Sequence, residues 1–361
     1  MRTTLSYMKW PLIVTAAGMA LAVYLGFQFH HTTAGMLSFV LIAAVLAVLE
    51  ISLSFDNAIV NAQKLRTMTP VWQKRFLTWG IIIAVFGMRI IFPLLIVVIA
   101  AKIGPIAAIK LAATDPEQYA TLIGDAHLPI AAFGGSFLML VALNFFFDQS
   151  KDVHWLGGLE RTLRLFGLIR GMQVGFVLIL VVIFTILLPP HEEGRFMFAA
   201  IWGIVTYLLV DGFGTVLDSW GGGSSSTAQA GLGGFLYLEV LDASFSFDGV
   251  IGAFALTQNL FLIAIGLGIG AMYVRSMTIM LVERGTLAQF RFLEHGAFWS
   301  ILILSIVMFS QTMVHIPEVI TGLAGAVIIG LSLLSSLRWN KAHPDEGVDL
   351  DHPHGGHHAH D

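Results

Sequence analysis

The sequence predicts an all-α polytopic membrane protein of about ten transmembrane helices, arranged as a 5+5 inverted-topology repeat. Three observations lead there. Of 361 residues, 57% are hydrophobic and only 12% charged, with a mean hydropathy of +0.82, whereas soluble domains carry about 25% charged residues. Several apolar runs reach the roughly 20 residues that cross a bilayer as a helix. One phrase also occurs twice, as "LEISLSFDNAIV" from Leu49 to Val60 and as "LDASFSFDGVIG" from Leu241 to Gly252.

The expected spans run over 10–27, 36–61, 77–101, 130–147, 172–189, 197–217, 232–256, 260–282, 296–313 and 317–336. The first follows Arg2 and Lys9, is long for a signal-peptide core, and has no small-residue cleavage site after "FQFHHTTAG". It reads as a retained helix. The stretch 102–129, with "TDPEQY", reads as a solvated loop, and 218–234, "DSWGGGSSSTAQAGLGG", as a flexible linker. Fourteen of the nineteen Lys and Arg residues fall in segments that this count places on the side of the N-terminus; Lys102, Lys110 and Arg195 lie opposite. The positive-inside rule then puts both termini in the cytoplasm of a multi-pass protein of the cell inner (plasma) membrane. The expected organisation is a first repeat over 1–190, a second over 191–338, and a disordered His/Asp-rich cytoplasmic tail over 339–361. The chain has no cysteine, so disulfides and thiolate ligands are excluded.

Aligned without gaps, Leu49, Ser52, Ser54, Phe55, Asp56 and Ile59 recur as Leu241, Ser244, Ser246, Phe247, Asp248 and Ile251, and Glu50 is answered by Asp242. The motifs lie five crossings apart, on helices two and seven, and so run in opposite directions through the membrane. That is a recurrent transporter arrangement, with binding near the midplane where the repeats meet. Arg89 and Arg275, on the helices that follow, extend the correspondence.

Carboxylates at bilayer depth cost roughly 2.5–3.5 kcal/mol each even on the lenient insertion scale. One account pairs Asp56 and Asp248 with Arg89 and Arg275 as structural bolts between helices. Yet Glu50, Asp56, Asp242 and Asp248 outnumber the two arginines, and a bound divalent cation balances the remainder. Residues six apart lie about 240° round and 9 Å along a regular helix, so Glu50 and Asp56 meet one ion only if the helix breaks near "SLSFDN". Ser52, Ser54, Asn57, Ser244 and Ser246 offer neutral oxygens, a donor set suited to a hard cation such as Mn²⁺, Mg²⁺ or Ca²⁺. Glu239 shares a face with Asp242 and reads either as an additional ligand or proton carrier, or as a helix-end residue facing water.

Asp211, Asn144 and Asp148 sit near span ends and read as interfacial. "FGGSF", Phe133 to Phe137, reads as close helix packing. The segment "HPDEGVDLDHPHGGHHAHD" holds six of the thirteen histidines. It reads equally as a weak cytoplasmic metal buffer or as a disordered end without a set role.

At these motifs the sequence resembles the TerC family of integral membrane proteins, within the wider LysE-like transporter group. The first phrase matches that family's acid, Ser and Asp-Asn signature, and "LDASFSFDGVIGAF" its second, with "GMRIIF" and "FGGSF" between them. The resemblance runs from about Met36 to Phe309. It implies Mn²⁺ efflux, with links to tellurium resistance and to loading metals onto exported enzymes. It also implies Glu50, Asp56, Asp242 and Asp248 as binding acids with Asn57 as a neutral ligand. Gly249 stands where that family often has Ser, no Pro follows it, and ten spans exceed its usual seven to nine.

The expected function is a divalent metal cation exporter, with Mn²⁺ as the leading ion, working by alternating access at a carboxylate site between helices two and seven. Protons are a candidate coupling ion, and Arg89 and Arg275 would hold the acids and balance their charge. Alternatives are a non-transporting membrane scaffold in metal stress or metal delivery, and an exporter of organic cations or basic amino acids. The chain shows no nucleophile-and-base constellation, phosphate loop or HExxH motif, so no catalytic residue and no enzyme activity is expected. The expected partners are the lipid bilayer and the transported ion, with no cofactor and no nucleic acid; oligomeric state is open.

Overall fold

The computed structural model describes residues 4–220, 227–285, 289–314 and 316–343; the side chains of 213–220, 227–230 and a few others, Asp248 among them, lie outside that description. The described residues are helical throughout, with no strand. In chain order the helices are α1 (Thr4–His30), α2 (Thr33–Leu53), α3 (Phe55–Arg66), α4 (Pro70–Ile82), a π-helical turn (Ile83–Ile91), α5 (Phe92–Ala101), α6 (Pro105–Thr114), α7 (Pro116–Asp125) and α8 (His127–Phe147). They continue as α9 (Gly157–Phe166), α10 (Met172–Leu187), α11 (Pro190–Trp220), α12 (Thr227–Leu256), α13 (Leu260–Glu283), α14 (Leu293–Gln311) and α15 (Glu318–Ala342).

Among the described residues, seven helices are long and apolar enough to cross a membrane: α1, α2, α8, α11, α13, α14 and α15. The protein is therefore a polytopic helical membrane protein. The other three expected spans take different forms. The stretch 77–101 is interrupted by the π-helical turn, and α10 has 16 residues, about 24 Å at 1.5 Å per residue. α12 is long but carries Glu239, Asp242 and Asp248.

Burial separates the centre from the rim. Most of the apolar stretch of α8, α13 and α14 is buried (78%, 72% and 61%), whereas α1, α2, α11 and α15 bury 11–28% of theirs. Side chains such as Trp10, Leu37, Leu41, Val48 and Leu323 therefore point outward, as expected of a lipid-facing surface. α8 packs between α11 and α14, and α13 lies along α1 and α2. Small residues permit these approaches. A Cβ on Gly134 or Gly135 would press on Met308 of α14, so "FGGSF" is a packing seam.

Two expectations need correction. The stretch 102–129 is not a solvated loop, because α6 and α7 bury Ala108, Ala112, Tyr119 and Ile123 against Ile96 and Val97 of α5. Pro105 and Pro116 sit in the first turns of these helices, where a missing N–H costs nothing, and Asp115 caps α7 through the Gln118 amide at 3.0 Å. The linker expected at 218–234 is largely helix: α11 extends to Trp220 and α12 begins at Thr227, with 221–226 outside the described residues. Gly231 and Gly234 of α12 lie against Trp72 and Met68. The histidine-rich stretch from 344 onward also falls outside the described residues.

Candidate cation site

The chain breaks where the first motif needs it to. Ser54 adopts φ −105° and ψ 13°, ending α2 and starting α3 one residue later. The bonds spanning the break are Ser54 N–H to the Glu50 carbonyl (3.0 Å) and Ala58 N–H to the Ser54 carbonyl (3.2 Å). The amide of Asn57 instead donates to the Asp56 carboxylate at 2.8 Å. Acidic and polar side chains around the break are buried, with Glu50 1%, Asp56 5%, Asn57 5% and Asp242 9% exposed.

Glu50, on the last turn of α2, is ion-paired with Arg89 of the π-helical turn. The Ser54 hydroxyl donates to the same carboxylate oxygen at 3.1 Å, and Arg89 Nη1 donates to Ser246 Oγ of α12 at 3.3 Å. Glu50 fits because two glycines make room for it. A Cβ on Gly270 of α13 would lie 2.5 Å from Glu50 Cβ and Cγ, and one on Gly249 of α12 would lie 3.0 Å from Oε2.

Asp242 of α12 is held from α3. Asn57 Nδ2 and Asn61 Nδ2 donate to its Oδ1 at 2.7 and 2.9 Å. Both asparagine carbonyl oxygens are buried and find no hydrogen-bond partner among the described residues. These groups wall a cavity of about 30 Å³ with Ser54, Arg89, Ser246 and Arg275. Arg275 of α13 donates from Nη1 to the Phe76 carbonyl at 3.2 Å and lies within electrostatic reach of Asp242 and Glu239. Glu239, one turn before Asp242, faces Gly80 of α4.

Asp56 does not join this cavity. It leaves α3 on the other side, where its Oδ2 accepts from Ser300 Oγ of α14 at 2.7 Å and opens on a second cavity of about 20 Å³. The break thus turns Glu50 toward Arg89 without bringing Asp56 round to it. Among the described residues no three Asp, Glu or His side chains are gathered as a ready metal cage. Of the remaining sequence candidates, Asn144 and Asp148 line a wider cavity of about 550 Å³ at the end of α8. Asp211 is exposed on α11.

Two groups of residues here were not anticipated. Asn61 was legible in hindsight, being four residues after Asn57 and so on the same face of α3. The other group had no local signal. Glu160 of α9 is buried and accepts from Trp155 N (3.1 Å), Leu156 N (3.3 Å) and Trp299 Nε1 (2.9 Å), with His295 Nδ1 at 2.8 Å. Burial pushes its carboxyl up, but the His295 and Trp299 hydrogen bonds and the charges of His295 and Lys151 outweigh that and hold it near 2. Lys151, stacked 3.5 Å over the Phe145 ring, is pushed down to about 8 by burial.

A family model described as "Protein of unknown function (DUF475)" matches residues 55–343, the greater part of the chain. The chain belongs to the DUF475 family. No curated protein and no solved structure matches it. The DUF475 match takes in α3 through α15, and so contains Asn57, Asn61, Arg89, Asp242 and Arg275; Glu50 lies just before its start.

Proposed function

We propose that this DUF475 protein exports divalent cations, Mn²⁺ foremost, with Asp242 at the centre of the binding site. The observation that carries the reading is the pair of orphaned oxygens beside it. Asn57 Oδ1 and Asn61 Oδ1 are buried without a partner among the described residues, next to a carboxylate, on the wall of a cavity of about 30 Å³. Leaving such an acceptor unsatisfied costs about 1–3 kcal/mol, and a cation in the cavity would satisfy both. Carboxylate, amide and hydroxyl oxygens form a hard donor set, which favours Mn²⁺, Mg²⁺ or Ca²⁺ over soft ions. Glu50, paired with Arg89 and with its Oε2 beside Gly249, is kept as a ligand on the strength of the sequence motif. The sequence assigns Asp56 and Asp248 to the same ion; we retain Asp248 by its place in the repeated motif, while Asp56 opens on a separate cavity.

The placement of the wider cavities supports alternating access. One of about 550 Å³ opens at the end of α8 and one of about 830 Å³ at its beginning, and a helix of 21 residues separates them by about 30 Å. In the inverted-repeat reading, the interrupted α2–α3 is paired with α12, which runs unbroken through the second motif, and rocking one half against the other opens the site to each end in turn. The positive-inside pattern makes the end of α8 cytoplasmic, so export runs from there to the start of α8. Protons are a candidate coupling ion. The resemblance to TerC proteins supports the same substrate class.

A scaffold reading draws on the closure of the Glu50–Arg89 pair, which neutralises itself without an ion. Mn²⁺ binding to the purified protein, followed by electron paramagnetic resonance, separates the two. Export predicts bound Mn²⁺ in the wild type and a loss of affinity of at least tenfold in D242N and in N61L. Equal Mn²⁺ binding in wild type and both variants would remove Asp242 from the site.

A further inference from the structure

We propose that the pocket in front of Asp56 is a second cation site, for a dehydrated monovalent ion of the size of Na⁺. Asp56 is buried at a helix break, and no Lys, Arg or His lines its pocket among the described residues. An uncompensated buried carboxylate is costly, and the groups around it offer oxygens rather than positive charge. Ser300 Oγ already touches Asp56 Oδ2 at 2.7 Å. Thr321 of α15, 6% exposed, lines the same pocket, and its hydroxyl oxygen is buried with no hydrogen-bond partner among the described residues.

The break supplies further ligands. Ser54 leaves helical geometry between α2 and α3, and Ser52 and Leu53, in the last turn before it, line the pocket. Carbonyls freed at an interrupted membrane helix are cation ligands by the same physics that orients them at helix C-termini. Gly322 and Gly325 let α15 come close, a Cβ on Gly325 lying 3.8 Å from Asp56 Oδ2.

Charge and size set the ion. One carboxylate with neutral oxygens balances a single positive charge, in contrast to the cavity at Asp242, which Arg89 and Arg275 also line. The cavity of about 20 Å³ holds a single water-sized occupant, since roughly 10–15 Å³ suffices for one. The site itself does not depend on the export reading, although its role in coupling does. Asp56 and Asn57 are adjacent on α3 and face the two cavities, so an ion in front of Asp56 fixes the helix that presents Asn57 and Asn61 to Asp242.

The test is the thermal stability of the full-length protein in detergent, with divalent ions chelated and NaCl exchanged for choline chloride at constant ionic strength. At Na⁺ near ten times its dissociation constant, the wild type should gain about 2–4 °C in Tm over choline. T321V, whose hydroxyl has no partner to lose, should keep the choline Tm within about 2 °C of wild type, whereas S300A, which removes a hydrogen bond to Asp56, should lower it; both should lose the Na⁺ shift. Equal Tm in both salts for the wild type would overturn the site, leaving the pocket to a water. A full Na⁺ shift retained in both variants would place Na⁺ elsewhere and overturn it equally. Because no divalent ion is present, failure here leaves the Mn²⁺ reading untouched, and failure of Mn²⁺ binding leaves this one untouched.

Discussion

Gly270 illustrates how narrowly the buried charges are accommodated. Its missing Cβ is where Glu50 Cβ and Cγ pass, so the pairing of Glu50 with Arg89 depends on a residue that carries no chemistry. G270A should destabilise by about 1–3 kcal/mol, the usual cost of overpacking, read as a lower Tm. Adding E50D, which withdraws one methylene, should recover part of the loss; no recovery would place the strain elsewhere. Arg89 itself is a stronger case. Removing one partner of a buried ion pair costs about 3–5 kcal/mol because the other charge is stranded. R89M should therefore be far less stable than the double variant E50Q/R89M, measured side by side by thermal unfolding. The sequence marked Glu50, Arg89, Asp242 and Asn57 correctly as buried polar residues of one region, because charges in apolar runs stand out. It could not show that Asn57 and Asn61 would turn their amide groups to Asp242 and leave their carbonyls free.

Elements show a different limit of legibility. A shared ion for Glu50 and Asp56 required a break near "SLSFDN", and α2 ends at Leu53, just before Ser54. The direction of the break was not readable: a residue 100° further round the helix faces another neighbour, and Asp56 therefore meets Ser300 of α14 rather than Glu50. The latch of α9 onto α14 was also hidden, because Glu160 and His295 are 135 residues apart and belong to no shared motif. That latch carries a pH signature. Glu160 is held near 2 in the folded protein, below the unfolded value of about 4.3. Its contribution is therefore complete above about pH 4.5 and fades as pH falls toward 2. E160Q should lower Tm at pH 7, and the gap between wild type and variant should narrow steadily below pH 4.5. A gap that stayed constant from pH 7 to pH 3 would show that the charge of Glu160 plays no part.

For the whole molecule, composition and apolar run length were enough to read a helical membrane protein, since the bilayer admits few other solutions. The same reasoning is least sharp where helices are short or interrupted: α6 and α7, read as loop, pack as amphipathic pieces, and the π-helical turn divides the third expected span. Hydropathy measures transfer to lipid, and these segments are stabilised against other helices. The DUF475 match covers the helices that build the Asp242 cavity, and two larger cavities lie at opposite ends of α8. The central claim is that ions cross the membrane through it. The direct measurement is Mn²⁺ flux into liposomes holding the purified protein, beside D242N reconstituted at equal density. The account predicts saturable flux in the wild type, inhibited by competing hard divalent ions and reduced at least tenfold in D242N. Folded wild-type protein that moves no divalent ion under any ion or pH gradient, or D242N that moves Mn²⁺ as fast as wild type, would contradict it.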